Sequence, residues 1–404
     1  MPTPLIALLL AQAALPQPDP YAPPPKEGSA ERMAYDAQLG GAAEDAAIEA
    51  WLIAHPDTSA TSRAMLFHRL CIDYGVRTGG EKRVAACAAA NKLAPDGEDA
   101  SDEKIAEAFR AAPPISARGG ATVPTIANPL GSKSANVTVN GVTLPWFMDT
   151  GAEISVVTET TAAKLGVRVL PGSSDVGTST SNRVTGKLGL IDKATIGGAT
   201  VENLPVLILP DAMLQLGKDY TIPAIFGLPA FAALGQVAWI DGGTKLALGR
   251  DAPLPNGKTV RVYWHEDGLG IPIATPLGTA GAQFDSGADS TALRRSGLGL
   301  LTKDQFASAA ERNATIGGAG GFVTTKVRVL PQFDYTVDNA PLRALKVNIE
   351  ENDSSAARVG SDMIAQLKLL TIDFATMTLQ AVPSGGTPNA SEQSGEAQNH
   401  ARNS

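Results

Sequence analysis

The stretch from Thr122 to Val382 runs through the same series of landmarks twice, and this repetition constrains the fold more than any other feature of the chain. Asp149-Thr150-Gly151-Ala152 returns as Asp285-Ser286-Gly287-Ala288, each after an apolar residue and each ahead of a helix-like segment. Val184-Thr185-Gly186-Lys187-Leu188 returns as Val323-Thr324-Thr325-Lys326-Val327, and Ala224-Ile225-Phe226-Gly227 as Ala357-Arg358-Val359-Gly360. The endings match as well: Trp239-Ile240-Asp241 with Lys245 to Leu248, against Thr371-Ile372-Asp373 with Met377 to Leu379. Four landmarks in one order point to two copies of one unit. The texture is short β-branched runs separated by glycines, which reads as strands and hairpins rather than helices. Ala135 to Gly141 and Val176 to Ile191 read as hairpin material.

The repeated acidic motif carries the chemistry. Two carboxylates sharing one proton can activate a water as general base and protonate a leaving amine as general acid, and one copy supplies only half of that arrangement. A lone Asp-Thr-Gly reads more readily as a surface turn. Other schemes have little support. The only histidines are His55, His68, His265 and His400, and there is no Gly-x-Ser-x-Gly elbow. Ile316-Gly317-Gly318-Ala319-Gly320-Gly321 lacks the Gly-Lys-Ser/Thr ending of a phosphate loop. A net charge of −8 and a pI near 5.2 leave no basic footprint for nucleic acid.

Phe147-Met148-Asp149-Thr150-Gly151-Ala152-Glu153-Ile154-Ser155 and Phe284-Asp285-Ser286-Gly287-Ala288-Asp289-Ser290 resemble the signature of retropepsin-like aspartic proteases, here in tandem as in the bilobal, pepsin-like arrangement. The resemblance implies a mainly β fold of two retropepsin-like barrel lobes, preceded by a small all-α domain. It implies Asp149 and Asp285 as the catalytic dyad in one intramolecular cleft. Thr150 and Ser286 lock the two loops, Gly151 and Gly287 give the tight backbone, and Ala152 and Ala288 complete the active-site loops. Gly177, Thr178 and Ser179, and Gly317, Gly318 and Gly320, fall where the family carries flaps; an ordinary exposed hairpin is the alternative reading. Gly360-Ser361-Asp362-Met363-Ile364 fits the family's second signature, while Gly227-Leu228-Pro229 departs from it. The implied activity is aspartic endopeptidase hydrolysis of an extended peptide or protein, without metal or cofactor. The rival is a peptide-binding module on the same scaffold, favoured by the polar approach Gly281-Ala282-Gln283-Phe284, which is expected to hold its loop less firmly. A monomer with an internal pseudo-dimer is expected in preference to a homodimer pairing each copy with its twin.

The rest of the chain frames this core. Leu5 to Leu10 is apolar and leads into Ala11-Gln12-Ala13-Ala14, a small-x-small pattern, so residues 1–14 read as a signal peptide despite an n-region without Lys or Arg. Export to a periplasmic or extracellular space is the consequence, with no membrane attachment after cleavage; an apolar tail or the first turn of a core helix is the alternative. Residues 15–29 read as an extended Pro-rich linker and 30–112 as about four short helices. Lobe 1 is expected over 122–250, lobe 2 over 258–382, and a disordered tail over 383–404. Cys71 and Cys87 sit at mirrored positions about Gly79, so antiparallel helices would let them form a disulfide in an oxidising compartment; two buried thiols are the alternative. His68 and Cys71 could present two metal ligands, too few for a closed zinc site. The segment Ala111 to Gly120, with Arg118, reads as a linker open to processing.

Overall fold

The computed structural model describes residues 20–77, 79–95, 97–177, 183–215, 220–254, 256–265, 268–351 and 354–385. The expected signal peptide, residues 15–19 of the expected Pro-rich linker, Thr178 and Ser179, and the tail from residue 386 lie outside the described residues.

Five helices, rather than four, open the described chain: Ala30–Leu39, Ala42–Ala54, Ala60–Arg77, Gly80–Leu93 and Gly97–Ala108. The first break carries no proline; Gly40-Gly41 alone makes it. Leu66, Leu70 and Tyr74 recur one turn apart on the third helix and are buried together with Ile48, Leu52 and Val84. Cys71 and Cys87 face each other across the third and fourth helices and are joined in a disulfide, their Cα atoms 4.8 Å apart. Tyr21, within the segment expected to be extended and unpacked, donates to the Arg261 carbonyl at 3.2 Å and sets its ring edge on Tyr263.

Strand Lys133–Val139 shows why the β part closes on itself. Ala135, Val137 and Val139 are buried while Asn136 is exposed, the period-2 pattern of a strand with one face on a core. Asn140 and Gly141 both take left-handed φ, as a two-residue hairpin turn requires, and return the chain as Val142–Met148. From Val142–Met148 the ladder passes in parallel to Ala224–Phe226 and antiparallel to Ser155–Thr158. It continues in parallel to Ala199–Leu209, then antiparallel to Arg183–Ile196 and back to Lys133–Val139. Six strands thus form a closed barrel.

The second half repeats those pairings in the same order and sense. Gly268–Thr275 pairs Gly278–Phe284, then Ala357–Val359 in parallel, Ala292–Arg294, Ala340–Glu350 in parallel, and Gly321–Val337. The single pair Ala274↔Thr336 returns it to the start. Each unit also extends a hairpin, Arg168–Gly177 with Arg183–Ile196 and Ala310–Gly318 with Gly321–Val337.

A six-stranded antiparallel sheet joins the units, ordered Val260–Arg261, Thr378–Pro383, Leu367–Asp373, Gln236–Ile240, Lys245–Gly249, Ser116–Pro124. The two repeat endings lie side by side at its centre, with Ala238 opposite Thr371. Arg118 corrects one expectation: it lies in a strand, paired with Thr200 and ion-paired to Glu202, not in an open linker. A protease cutting there would have to pull a strand out of the sheet.

The helices are fastened to both units. Arg69, fully buried, binds Asp73 through Nε at 2.9 Å and donates from Nη1 to the Trp264 carbonyl at 3.1 Å. On the other side Ile105 and Phe109 enter one apolar cluster with Val184, Leu188, Leu209 and Ile225 of the first barrel. Arg183 and Ser174, on that barrel's hairpin, both bond to Ser101.

Candidate active site

Each acidic motif sits in a loop leaving a strand that runs into the centre of the molecule. Phe284 is fully buried, its ring edge-on to Trp239 from the other unit with centroids 5.4 Å apart. Gln283 is buried too and accepts from Arg294 Nη2 at 2.6 Å. The approach expected to hold its loop less firmly is therefore held by a guanidinium at Gln283 as well as by the apolar packing of Phe284. Each loop leads first into a short strand, and the helical segments Glu159–Leu165 and Arg295–Leu300 come only after it.

The loops are fixed by matching bonds. Asp149 N donates to the Phe226 carbonyl at 3.1 Å and Asp285 N to that of Val359 at 3.0 Å. Leu228 N donates to the Ala152 carbonyl and Ser361 N to that of Ala288, both at 2.8 Å. The repeated Phe/Val-Gly landmark is thus the strand that crosses behind each active loop. Short helices come next, Leu228–Leu234 and Ser361–Ile364. Pro229 occupies the first turn of the former, where its missing N–H costs no helical bond. In the latter, Asp362 is buried and accepts from Thr291 Oγ1 at 2.8 Å.

Between the loops, Thr150 and Ser286 are buried and take part in four bonds. Thr150 N donates to Ser286 Oγ at 3.0 Å, and Ser286 N donates to Thr150 Oγ1 at 2.9 Å. Thr150 Oγ1 donates onward to the Phe284 carbonyl at 2.8 Å and Ser286 Oγ to that of Met148 at 2.9 Å. Each hydroxyl accepts one bond and donates one, so each serves both as acceptor and as donor in the lock. Ser132, which the sequence did not single out, adds a further tie by donating to the Gly287 carbonyl at 2.7 Å.

This lock brings the carboxyls together. A Cβ placed on Gly151 would lie 2.6 Å from Asp285 Cγ, and one on Gly287 would lie 2.4 Å from Asp149 Cγ. Each carboxyl therefore rests on the other motif's glycine. Gly151 N donates to Asp149 Oδ1 at 2.8 Å and Gly287 N to Asp285 Oδ1 at 2.9 Å. Burial, and next the charge of Asp285, push the Asp149 carboxyl well above the usual carboxylate range. Such a pair holds one proton more readily than none or two.

Of the expected flap residues, Gly177 ends the strand Arg168–Gly177. Gly317 and Gly318 end Ala310–Gly318, and Gly320 lies in the turn beyond, donating to the Met213 carbonyl of the first unit at 2.7 Å. The second hairpin therefore reaches across to the other unit. The first is packed against the helices at Ser101, Ile105 and Phe109.

Paired barrels with a hydroxyl-locked aspartate pair define a retropepsin-like aspartyl protease fold. Residues 135–230 match the model of the family described as aspartyl protease, a match confined to the first barrel and its motif. The sequence matches no curated protein. Among solved structures it is similar to basic 7S globulin from soybean, at 15% identity and a TM-score of 0.41, covering 67% of this chain and 96% of that one. It is also similar to conglutin gamma, a basic 7S globulin from lupine seeds, at 12% identity and a TM-score of 0.42, covering 65% and 95%.

Proposed function

We propose that the chain is an aspartic endopeptidase acting on extended peptides, with Asp149 and Asp285 as one intramolecular dyad. The observation that carries this reading is the reciprocal lock of Thr150 and Ser286, which sets each carboxyl on the opposite glycine. A surface turn would need no such partner. With one carboxyl ionised and one protonated, the first takes a proton from a water as its oxygen bonds to the scissile carbon. The second gives its proton to the carbonyl oxygen. Collapse breaks the C–N bond, the nitrogen takes the proton drawn from water, and the diol hydroxyl returns its proton to the dyad. Buried flanking strands keep the two carboxyls in place without help from the substrate, so little reorganisation is left for the reaction itself.

The substrate would lie between the units under the hairpin that bonds to Met213, which must lift to admit it. We further propose that the protein is exported; the small-x-small pattern after Leu10 and the Cys71–Cys87 disulfide support an oxidising compartment. The test is calorimetric binding of a peptide in which the scissile bond is replaced by a hydroxyl-bearing tetrahedral mimic. Binding at least about a hundredfold tighter than the matching plain peptide supports the endopeptidase, since only a placed dyad rewards the tetrahedral centre. Equal binding of both would point to the peptide-binding module.

A further inference from the structure

The two barrels are alike in pairing but not in what they place beside the dyad. In the first, the parallel pair one step before the last ahead of the active loop is Phe147 with Ile225, and the pair at the end of the next parallel ladder is Thr158 with Leu209. In the second barrel the corresponding pairs are Gln283 with Arg358 and Arg294 with Glu350. Where the first barrel has three apolar side chains and a threonine, the second has, position for position, two cations, an anion and an amide.

The charged set is connected and reaches the dyad on one side only. Arg358 Nη2 donates to Glu350 Oε1 at 3.0 Å, and its Nη1 lies 4.0 Å from Asp285 Oδ2. Its Nε is buried without a hydrogen-bond partner. Arg294 approaches the same glutamate, Nε to Oε2 at 3.7 Å, and is otherwise taken up by Gln283, Ser354 and Ser355. On the active loops Arg358 faces the charges of Asp285, Asp289 and, across the lobe boundary, Asp149. The equivalent of Arg358 next to Asp149 is Ile225, which supplies nothing.

We infer that Arg358 is a positioning residue that keeps the single negative charge of the dyad on Asp285 and its proton on Asp149. Asp285 is then the base that takes the proton from water, and Asp149 the acid that polarises the scissile carbonyl. This assignment rests on the endopeptidase reading and gives its two carboxyls separate tasks. Burial works against the charge of Arg358, but Glu350, Asp285, Asp289 and Asp149 more than offset it, so the guanidinium remains a cation throughout the range in which the dyad titrates.

The experiment measures binding of the tetrahedral peptide mimic, together with peptide cleavage, against pH for the unmutated chain, Arg358→Met, Arg358→Lys and Glu350→Gln. A cation at this distance favours every deprotonated form of the pair, so its removal in Arg358→Met is expected to move both limbs of the bell upward by about one pH unit. Arg358→Lys should move them less. Glu350→Gln frees Arg358 from its competing anion and should move both limbs down, which decides the matter even where Arg358→Met fails to fold. Limbs that stay in place in folded variants, or that move upward in Glu350→Gln, would overturn the inference while leaving the endopeptidase standing. A mimic that binds the unmutated chain at no pH would overturn both.

Discussion

Thr150 and Ser286 hold one another by reciprocal backbone-to-hydroxyl bonds of 3.0 and 2.9 Å, each hydroxyl also reaching the carbonyl at the end of the strand that leads into the other's loop. Removing either hydroxyl leaves one buried N–H and one buried carbonyl without a partner, at a cost of roughly 1–3 kcal/mol per group. Thr150→Val is therefore expected to lower unfolding stability by about 2 to 6 kcal/mol and to depress cleavage. Thr150→Ser, which keeps the hydroxyl, should retain most of both. Because the two side chains share one network, Thr150→Val with Ser286→Ala should cost less than the sum of the single changes. Additive losses in a denaturant titration would argue against a shared lock.

Gly151 and Gly287 are where the opposite aspartates come to rest, and a methyl at either would stand 2.6 or 2.4 Å from a carboxyl carbon. The backbone of each loop is tied on both sides, so the aspartate has to give way. Gly151→Ala and Gly287→Ala should fold yet lose cleavage by about a hundredfold or more, the scale of an ångström misplacement in a catalytic group. A variant cleaving at the unmutated rate would show that the carboxyls need not sit where they do.

Asp362 offers a test of the second barrel that does not depend on catalysis. Burial is the main cause pushing its carboxyl up to about 6, against hydrogen bonds from Thr291 and Met363 that favour the charged form. A carboxyl that holds its proton more tightly when folded stabilises the fold fully below the unfolded value near 4. It loses that contribution as pH rises through about 6. The unmutated chain should lose about 3 kcal/mol across that window from this group. Asp362→Asn, which keeps an acceptor and never ionises, should flatten that part of the stability curve. A slope unchanged by the substitution would place the titration elsewhere.

The meeting of the two acidic motifs was legible because the information is local and written twice: a four-residue motif in each copy, then the Gly227 and Gly360 landmarks at matching offsets. The helices were legible as a region but not in number, since the turn at Gly40-Gly41 carries no proline and the alanine-rich composition runs through it. The sheet joining the units could not be read, because Gln236–Ile240 and Leu367–Asp373 pair across the whole second barrel and nothing local names the partner. For the same reason Arg118 looked like linker. Arg358 was visible only in comparison. Taken singly it is one arginine in a β-rich stretch, and its meaning comes from standing where the first copy has Ile225. Ser132 carried no signal at all, its partner Gly287 lying in the other unit.

The most direct measurement is cleavage of a mixed peptide library between pH 3 and 8 by the unmutated protein, Asp149→Asn and Asp285→Asn. A single intramolecular dyad requires that the unmutated chain cleave, best on the acidic side, and that either substitution alone abolish it. An unmutated chain that cleaves nothing while folded, or one variant that keeps full activity, would contradict a shared pair of aspartates.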